Sequence, residues 1–303
     1  MLDGTKTEEA FATSIAAVRT KRDVIEVTGP DAADYLHGQL SQDVLGLEVG
    51  RSAWTLLLQP QGKIDARLRL TRLAEDRFWL DVEAGYGQAS LERLQRFMLR
   101  VGAELHLLTL DLVALRGPAV ADLIAGGLAA PEGGAVLEAM WPGGGVDLVG
   151  AEVAVPDGVP EGDPVALDVL RVRSGIPAMG AELDSSTIPA AAGVVDDSVD
   201  FTKGCYVGQE LVARIDARGA NTPTRLRGII FGEAARPDDV PTGSELAAAD
   251  TVVGHVTSFV RSERSGAMAL GYVKRGVEVP SEASVVAADG TVHPVELVEL
   301  PVA

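Results

Sequence analysis

Seven residues, Ile64–Leu70, read IDARLRL. Their alternation puts Ile64, Ala66, Leu68 and Leu70 on one face of a strand and Asp65, Arg67 and Arg69 on the other. Such a strand is half buried, so it requires a sheet with one face on a core. The run before it, Ser52–Leu58 (SAWTLLL), is a second strand, and Gln59-Pro60-Gln61-Gly62 interrupts the pattern between them. Together they predict an antiparallel hairpin turning at Gln59–Lys63.

Around that hairpin the chain mixes helices and strands. Glu8–Val18 reads as a first helix and Asp23–Val27 as a strand. Pro30 followed by DAADYLHGQL opens a helix, because proline loses nothing at a first helical position and Asp31 suits the first turn. Arg77–Val82 is a strand, and Gly87–Leu99 a helix with Leu91, Leu94 and Met98 on its apolar face. Strands at Glu104–Leu108 and Leu112–Leu115, a helix at Ala119–Ile124 and a strand at Ala135–Glu138 follow. This order is the one expected of a split βαβ unit. Short strands are also expected around Val146–Val149 and Glu152–Val155, within a glycine- and proline-rich interval. Asp163-Pro164 caps and starts a helix over Val165–Ser174, stopped by Gly175-Ile176-Pro177. From Thr224 onward only short β runs remain, predicting a small antiparallel barrel or sandwich. The fold class is α+β.

The chain has 303 residues, Lys+Arg 26 against Asp+Glu 44, and a formal net charge of -18. That balance argues against duplex nucleic acid and against an anionic membrane as partners, since both require broad positive charge. A small anion in a local basic pocket is compatible with it. No window has the apolar length of a membrane span, and the first residues resemble neither a signal nor a transit peptide, so a cytoplasmic protein is expected. The single cysteine excludes an internal disulfide, and the four histidines are scattered, so no stably bound metal or iron–sulfur cluster is expected.

One stretch stands out chemically: Phe201–Asn221, FTKGCYVGQELVARIDARGAN. It holds the only cysteine, Cys205, between Lys203-Gly204 and Tyr206-Val207-Gly208. Phe201–Ile230 is net positive, whereas Ala181–Asp200 has five acids and no base. Cys205 is either a small buried side chain or an exposed thiol facing a ligand, and an ammonium at Lys203 turned toward it would favour the thiolate. Lys203, Arg214 and Arg218 are candidates to neutralise a carboxylate or phosphate, or else form a solvated edge paired with Glu210 or Asp216. Tyr206 offers either an aromatic face to a planar ligand or an interface contact. VARIDARG fits a helix or a strand with its exit. Glu182, after a glycine-containing turn, is a solvated acid or an acceptor for the N–H donors of a heterocycle.

KGCYVGQE, with Val212-Ala213-Arg214 and Arg218-Gly219-Ala220-Asn221, resembles the YgfZ-type folate-binding family, relatives of the glycine cleavage T-protein (aminomethyltransferase). Leu36–Leu40 (LHGQL), Gln42-Asp43-Val44, Leu58–Ile64 (LQPQGKI) and Arg171–Leu183 (RVRSGIPAMGAEL) add to the likeness. The resemblance implies a T-protein-like fold: two intertwined α+β portions over 1–223, of which about 52–140 is ferredoxin-like, and a C-terminal antiparallel β-barrel over 224–303. It implies a central opening for tetrahydrofolate or a one-carbon derivative. Partners would be iron–sulfur enzymes or cluster-assembly proteins, served in assembly or repair, with any effect on tRNA modification indirect. By carry-over, Lys203, Cys205 and Tyr206 belong to the functional surface with Arg214 and Arg218 nearby. Glu182 matches a T-protein glutamate that contacts the pterin ring.

Against transfer chemistry, T-proteins have a paired-glycine turn leading to adjacent aspartates, where this chain has Gly62-Lys63-Ile64-Asp65-Ala66-Arg67. Asp65 is offset from the aligned carboxylate position, where Ala66 or Arg67 falls, and one residue on a strand reverses the side chain. The expectation is folate recognition without efficient aminomethyl transfer. The rivals are a true aminomethyltransferase, which needs Asp65 in the pocket, and a non-catalytic interaction module with a closed centre.

Overall fold

The computed structural model describes residues 1–302 except 220, 233–234, 237–239, 250 and 288–289. After helix α1 (Gly4–Thr13), capped by the Asp3 carboxylate accepting from the Lys6 amide, come β1 (Ala16–Thr28), α2 (Ala32–Gln39), β2 (Ser52–Leu58), β3 (Ile64–Ala74), β4 (Arg77–Glu83) and α3 (Gly87–Gln95). β5 (Glu104–Arg116), α4 (Val120–Ala125), β6 (Ala135–Glu138), β7 (Val146–Gly150) and α5 (Pro164–Arg173) follow. Three short helices, α6 (Pro189–Ala192), α7 (Val195–Ser198) and α8 (Gln209–Asp216), lead to the last six strands. These are β8 (Thr224–Phe231), β9 (Glu245–Ala248), β10 (Thr251–Ser262), β11 (Gly266–Lys274), β12 (Ser281–Val286) and β13 (Val292–Val298). They close a barrel in the order β10-β11-β8-β13-β12-β9.

The first seven strands form one antiparallel sheet, ordered β2-β3-β4-β1-β5-β7-β6. β1 pairs with β5 along its whole length, Ala16 opposite Arg116 and Thr28 opposite Glu104. That pairing explains two departures from the sequence reading. The first helix stops at Thr13 because Ala16, Ala17 and Val18 are fully buried in the sheet. The two strands expected between Glu104 and Leu115 are one continuous strand, since β1 supplies a partner at every position. The strand expected over Glu152–Val155 does not form.

The apolar faces of β1–β4 meet α2, α3 and α5 in the main core, where Leu36, Leu57, Leu68 and Phe78 are fully buried. The barrel has its own core around Ile229, Leu246, Val285 and Leu297.

The seven-stranded sheet curls strongly. β3 and β7 are four strand steps apart, roughly 19 Å in a flat sheet, far beyond one arginine side chain. Yet Arg69 of β3 reaches Asp147 of β7 at 2.6 Å, and Arg51 beside β2 approaches Glu138 of β6 at 3.5 Å. Twist of one hand accumulates over the strands, and bulges in β3 opposite Leu57/Leu58 and near Arg72 bend it further. Arg67 and Arg69, from the polar face of IDARLRL, therefore lie on the inside of the curl.

Candidate functional site: a central hollow lined by arginines

Inside the curl, between the sheet and α5 with the loop after it, is a hollow of about 300 Å³. Arg22, Arg67, Arg69, Arg116 and Arg171 line it, with Trp54 and Trp141. The arginines are held by a continuous network. Arg69 donates from Nε to Asp81 Oδ2 at 2.7 Å and from Nη1 to Asp147 Oδ2 at 2.6 Å. Arg22 donates to the other oxygen of Asp81 at 3.0 Å, and Arg116 to the other oxygen of Asp147 at 2.8 Å. Asp81 and Asp147 are almost completely buried. Burial disfavours a charged carboxylate at Asp147, but Arg116 and Arg69 outweigh it and hold the group below the usual range. Burial likewise works against the Arg69 cation, but Asp81 and Asp147 more than offset this and raise its pKa.

Arg67 stands at the hollow's wall on the same face. Its guanidinium stacks on the Trp54 ring, 4.2 Å from the centroid, and donates to Asp197 Oδ2 at 2.6 Å. Arg116 lies over Trp141 at 5.1 Å.

Asp65 goes elsewhere. The bulge sets Leu57 opposite Ala66 and Leu58 opposite Ile64, leaving Asp65 without a partner in the ladder. Its carboxylate accepts from Arg93 Nε of α3 at 3.0 Å, and it is not part of the hollow's wall.

Glu182 is fully buried on the barrel side of the loop that closes the hollow. Oε2 accepts from Arg171 and from the Ala178 amide, both at 3.0 Å; Oε1 accepts from Thr257 at 2.8 Å and Ser258 at 2.6 Å. Its backbone carbonyl accepts from the Tyr272 hydroxyl at 2.8 Å. Four donors fill the lone pairs that burial would otherwise leave unpaired. Arg171 and Ala178 themselves line the hollow, so Glu182 fixes part of its wall to β10 and β11.

The Cys205 turn lies apart from this wall. Cys205 is an exposed free thiol. The Lys203 ammonium is held by backbone carbonyls: it donates to those of His37, Leu40 (2.6 Å) and Gln42 (3.1 Å). The first two are acceptors left over at the end of α2, and a cation there also suits the helix dipole. Burial pushes the Lys203 ammonium down to about 8, with Asp43 and Asp200 opposing. Tyr206 packs half-buried against the main core, its ring 5.0 Å from the Lys203 ammonium, and burial pushes its hydroxyl up to about 12. Arg214 and Arg218 are exposed on and just after α8, so VARID is helical and the residues after it form a turn. None of Lys203, Cys205, Tyr206, Arg214 and Arg218 is in the wall of the hollow among the described residues.

The fold brings one of the scattered histidines, His37, beside Gly204, the residue before Cys205. A Cβ added to Gly204 would lie 3.8 Å from His37 Nε2, and His37 Nδ1 is 3.3 Å from Asp43. Burial and the nearby Lys203 charge lower the pKa of His37. Gly208 explains how the turn is attached. Its φ of +84° is left-handed, and a Cβ there would come within 2.5 Å of the Gln59 carbonyl oxygen. The β2–β3 turn and the start of α8 thus touch backbone to backbone.

The residues that sequence reading missed are Arg22, Trp54, Arg67, Arg69, Asp81, Arg116, and Asp147. The one signal present was the charged face of IDARLRL.

A curled sheet and a closed barrel make an α+β protein with a polar hollow at its centre, walled by cations stacked on aromatic rings. Residues 18–130 match the family model of the GCVT N-terminal domain. An uncharacterized protein of Haemophilus influenzae is 28% identical over 230 residues, spanning 75% of this chain and 76% of that one. An aminomethyltransferase of Streptomyces avermitilis is 29% identical over 315 residues, spanning 91% and 83% respectively. The crystal structure of glycine cleavage system aminomethyltransferase T from Bartonella henselae superimposes with a TM-score of 0.82 at 23% identity, covering 99% of this chain and 89% of that one. The chain has the T-protein fold and aminomethyltransferase-like relatives.

Proposed function

We propose that the protein binds tetrahydrofolate in the central hollow and acts as an accessory in assembly or repair of iron–sulfur clusters in client enzymes, without efficient aminomethyl transfer. The observation that carries this reading is the β3 wall. Where a transferase needs a free carboxylate, this chain presents the cation of Arg67, while Ala66 is buried in the main core and Asp65 is turned to Arg93. Of the carboxylates that line the hollow, the two buried ones, Asp81 and Asp147, are each bound to two arginines, and Arg116 and Arg69 hold Asp147 below the usual carboxylate range.

Folate binding is supported by aminomethyltransferase relatives over most of the chain and by a hollow in the size range of small-molecule sites. Glu182 serves it by holding Arg171 and Ala178 in place. The accessory role is supported by the exposed thiol of Cys205 within KGCYVGQE, where an iron–sulfur enzyme or cluster-assembly protein would dock; Arg214 and Arg218 suit an acidic partner or the ligand's outer end.

Calorimetric titration of tetrahydrofolate tests the reading. Binding in the micromolar range, about -8 kcal/mol, is expected for the wild type. E182A is expected to weaken it and C205A to leave it unchanged. No heat at millimolar ligand would remove the folate reading, and turnover of an aminomethyl donor would restore the transferase.

A further inference from the structure

We infer that the hollow selects folates by the charge of their ring system. It accepts forms whose rings are neutral, excludes forms whose rings carry a positive charge, and owes that selection to Arg67. The ligand's identity rests on the folate reading above. Three features of the wall support the selection.

The first is the state of the counter-ions. An organic cation taken out of water needs a carboxylate close by. The buried carboxylates around the hollow are already occupied: Asp81 by Arg22 and Arg69, and Asp147 by Arg69 and Arg116. Glu182 is occupied by Arg171, the Ala178 amide, Thr257 and Ser258. Every carboxylate oxygen of these three accepts at least one hydrogen bond. The other acids of the wall, Glu83 and Asp168, have side chains 34% and 67% exposed, so water screens them.

The second is the fixed charge of Arg67. Its side chain is 5% exposed, whereas Asp197, the carboxylate it bonds, is 50% exposed and balances it through a screened contact. The guanidinium is stacked on Trp54, and its Nε donates to Ser198 Oγ at 3.3 Å. Held by the ring, Ser198 and Asp197, it does not swing out to make room for a second cation. Like charges in a partly dry cavity repel far more than they do in water.

The third is the state of the aromatic rings, the other home for a buried organic cation. Arg67 lies over Trp54 and Arg116 over Trp141, so one face of each ring already holds a cation. A neutral heterocycle needs no counter-ion, and its carbonyl and ring-nitrogen acceptors suit guanidinium donors.

The test uses two bridged folates of nearly the same shape and with the same tail. Methylenetetrahydrofolate is neutral at the bridge, and methenyltetrahydrofolate carries one positive charge spread over it. Equilibrium dialysis of each, and of tetrahydrofolate, is run against the full chain as wild type and Arg67→Gln. Mildly acidic buffer preserves the methenyl bridge, matched formaldehyde preserves the methylene one, and thermal melts check folding. Wild type is expected to bind the methylene form at least about tenfold more tightly than the methenyl form, and R67Q to narrow that ratio to about threefold or less. Equal binding by wild type, or tighter binding of the methenyl form, overturns the selection while folate binding stands. A tenfold preference unchanged in R67Q overturns the role of Arg67. Binding of tetrahydrofolate with neither bridged form held also overturns the selection, and silence from all three removes the folate reading with it. Should R67Q fail to fold, the wild-type ratio decides.

Discussion

Arg69 bonds two buried carboxylates from one guanidinium, and the network through Asp81 and Asp147 depends on it. Buried ion pairs add little when complete, but removing one member strands the other. Asp147→Asn should therefore cost about 3 kcal/mol at neutral pH, because Arg116 and Arg69 keep their charge and lose their acceptor. The pH dependence follows from the lowered pKa of Asp147, caused by Arg116 and Arg69 against burial. The unfolded chain binds its proton first, so this stabilisation is complete above the ordinary carboxylate pKa and is lost as pH falls through the lower native one. Urea unfolding of both proteins from pH 7 to pH 3 checks it: the gap between them should narrow only below about pH 4. A gap independent of pH would mean Asp147 is not charged in the fold.

At the scale of elements, the bulge in β3 decides which side chains face the ligand. It diverts Asp65 to Arg93 of α3 and leaves Arg67 and Arg69 facing the hollow. Asp65→Asn should lower stability by about 1 kcal/mol, the worth of a charge-assisted bond partly retained by the amide. Tetrahydrofolate affinity should stay within about twofold. A much larger loss of binding would move Asp65 into the site and favour transfer chemistry. Local pattern foresaw the hairpin itself: Ser52–Leu58 and Ile64 onward are strands joined at the expected turn. It did not foresee the bulge, because an unpaired residue in a ladder depends on what the neighbouring helix offers.

For the whole molecule, the α+β class, the barrel strands after Thr224 and most helices were legible because each depends on short-range periodicity and capping. The extent of β1 was not, since its first residues are strand only through pairing with β5. The hollow was hidden for a similar reason. Arg69, Asp81, Arg116 and Asp147 lie on four strands, and only the curl of the sheet brings them together. The basic stretch around Cys205 was visible in sequence and lies on the exposed surface, while the buried positive charge sits among acids that mask it in any composition count. A crystal structure of the complex with tetrahydrofolate measures the central claim directly. Ligand density inside the curl, in contact with Arg67 and bounded by Trp54 and α5, is expected; ordered ligand confined to the barrel side of Glu182 or to the Cys205 surface would contradict it.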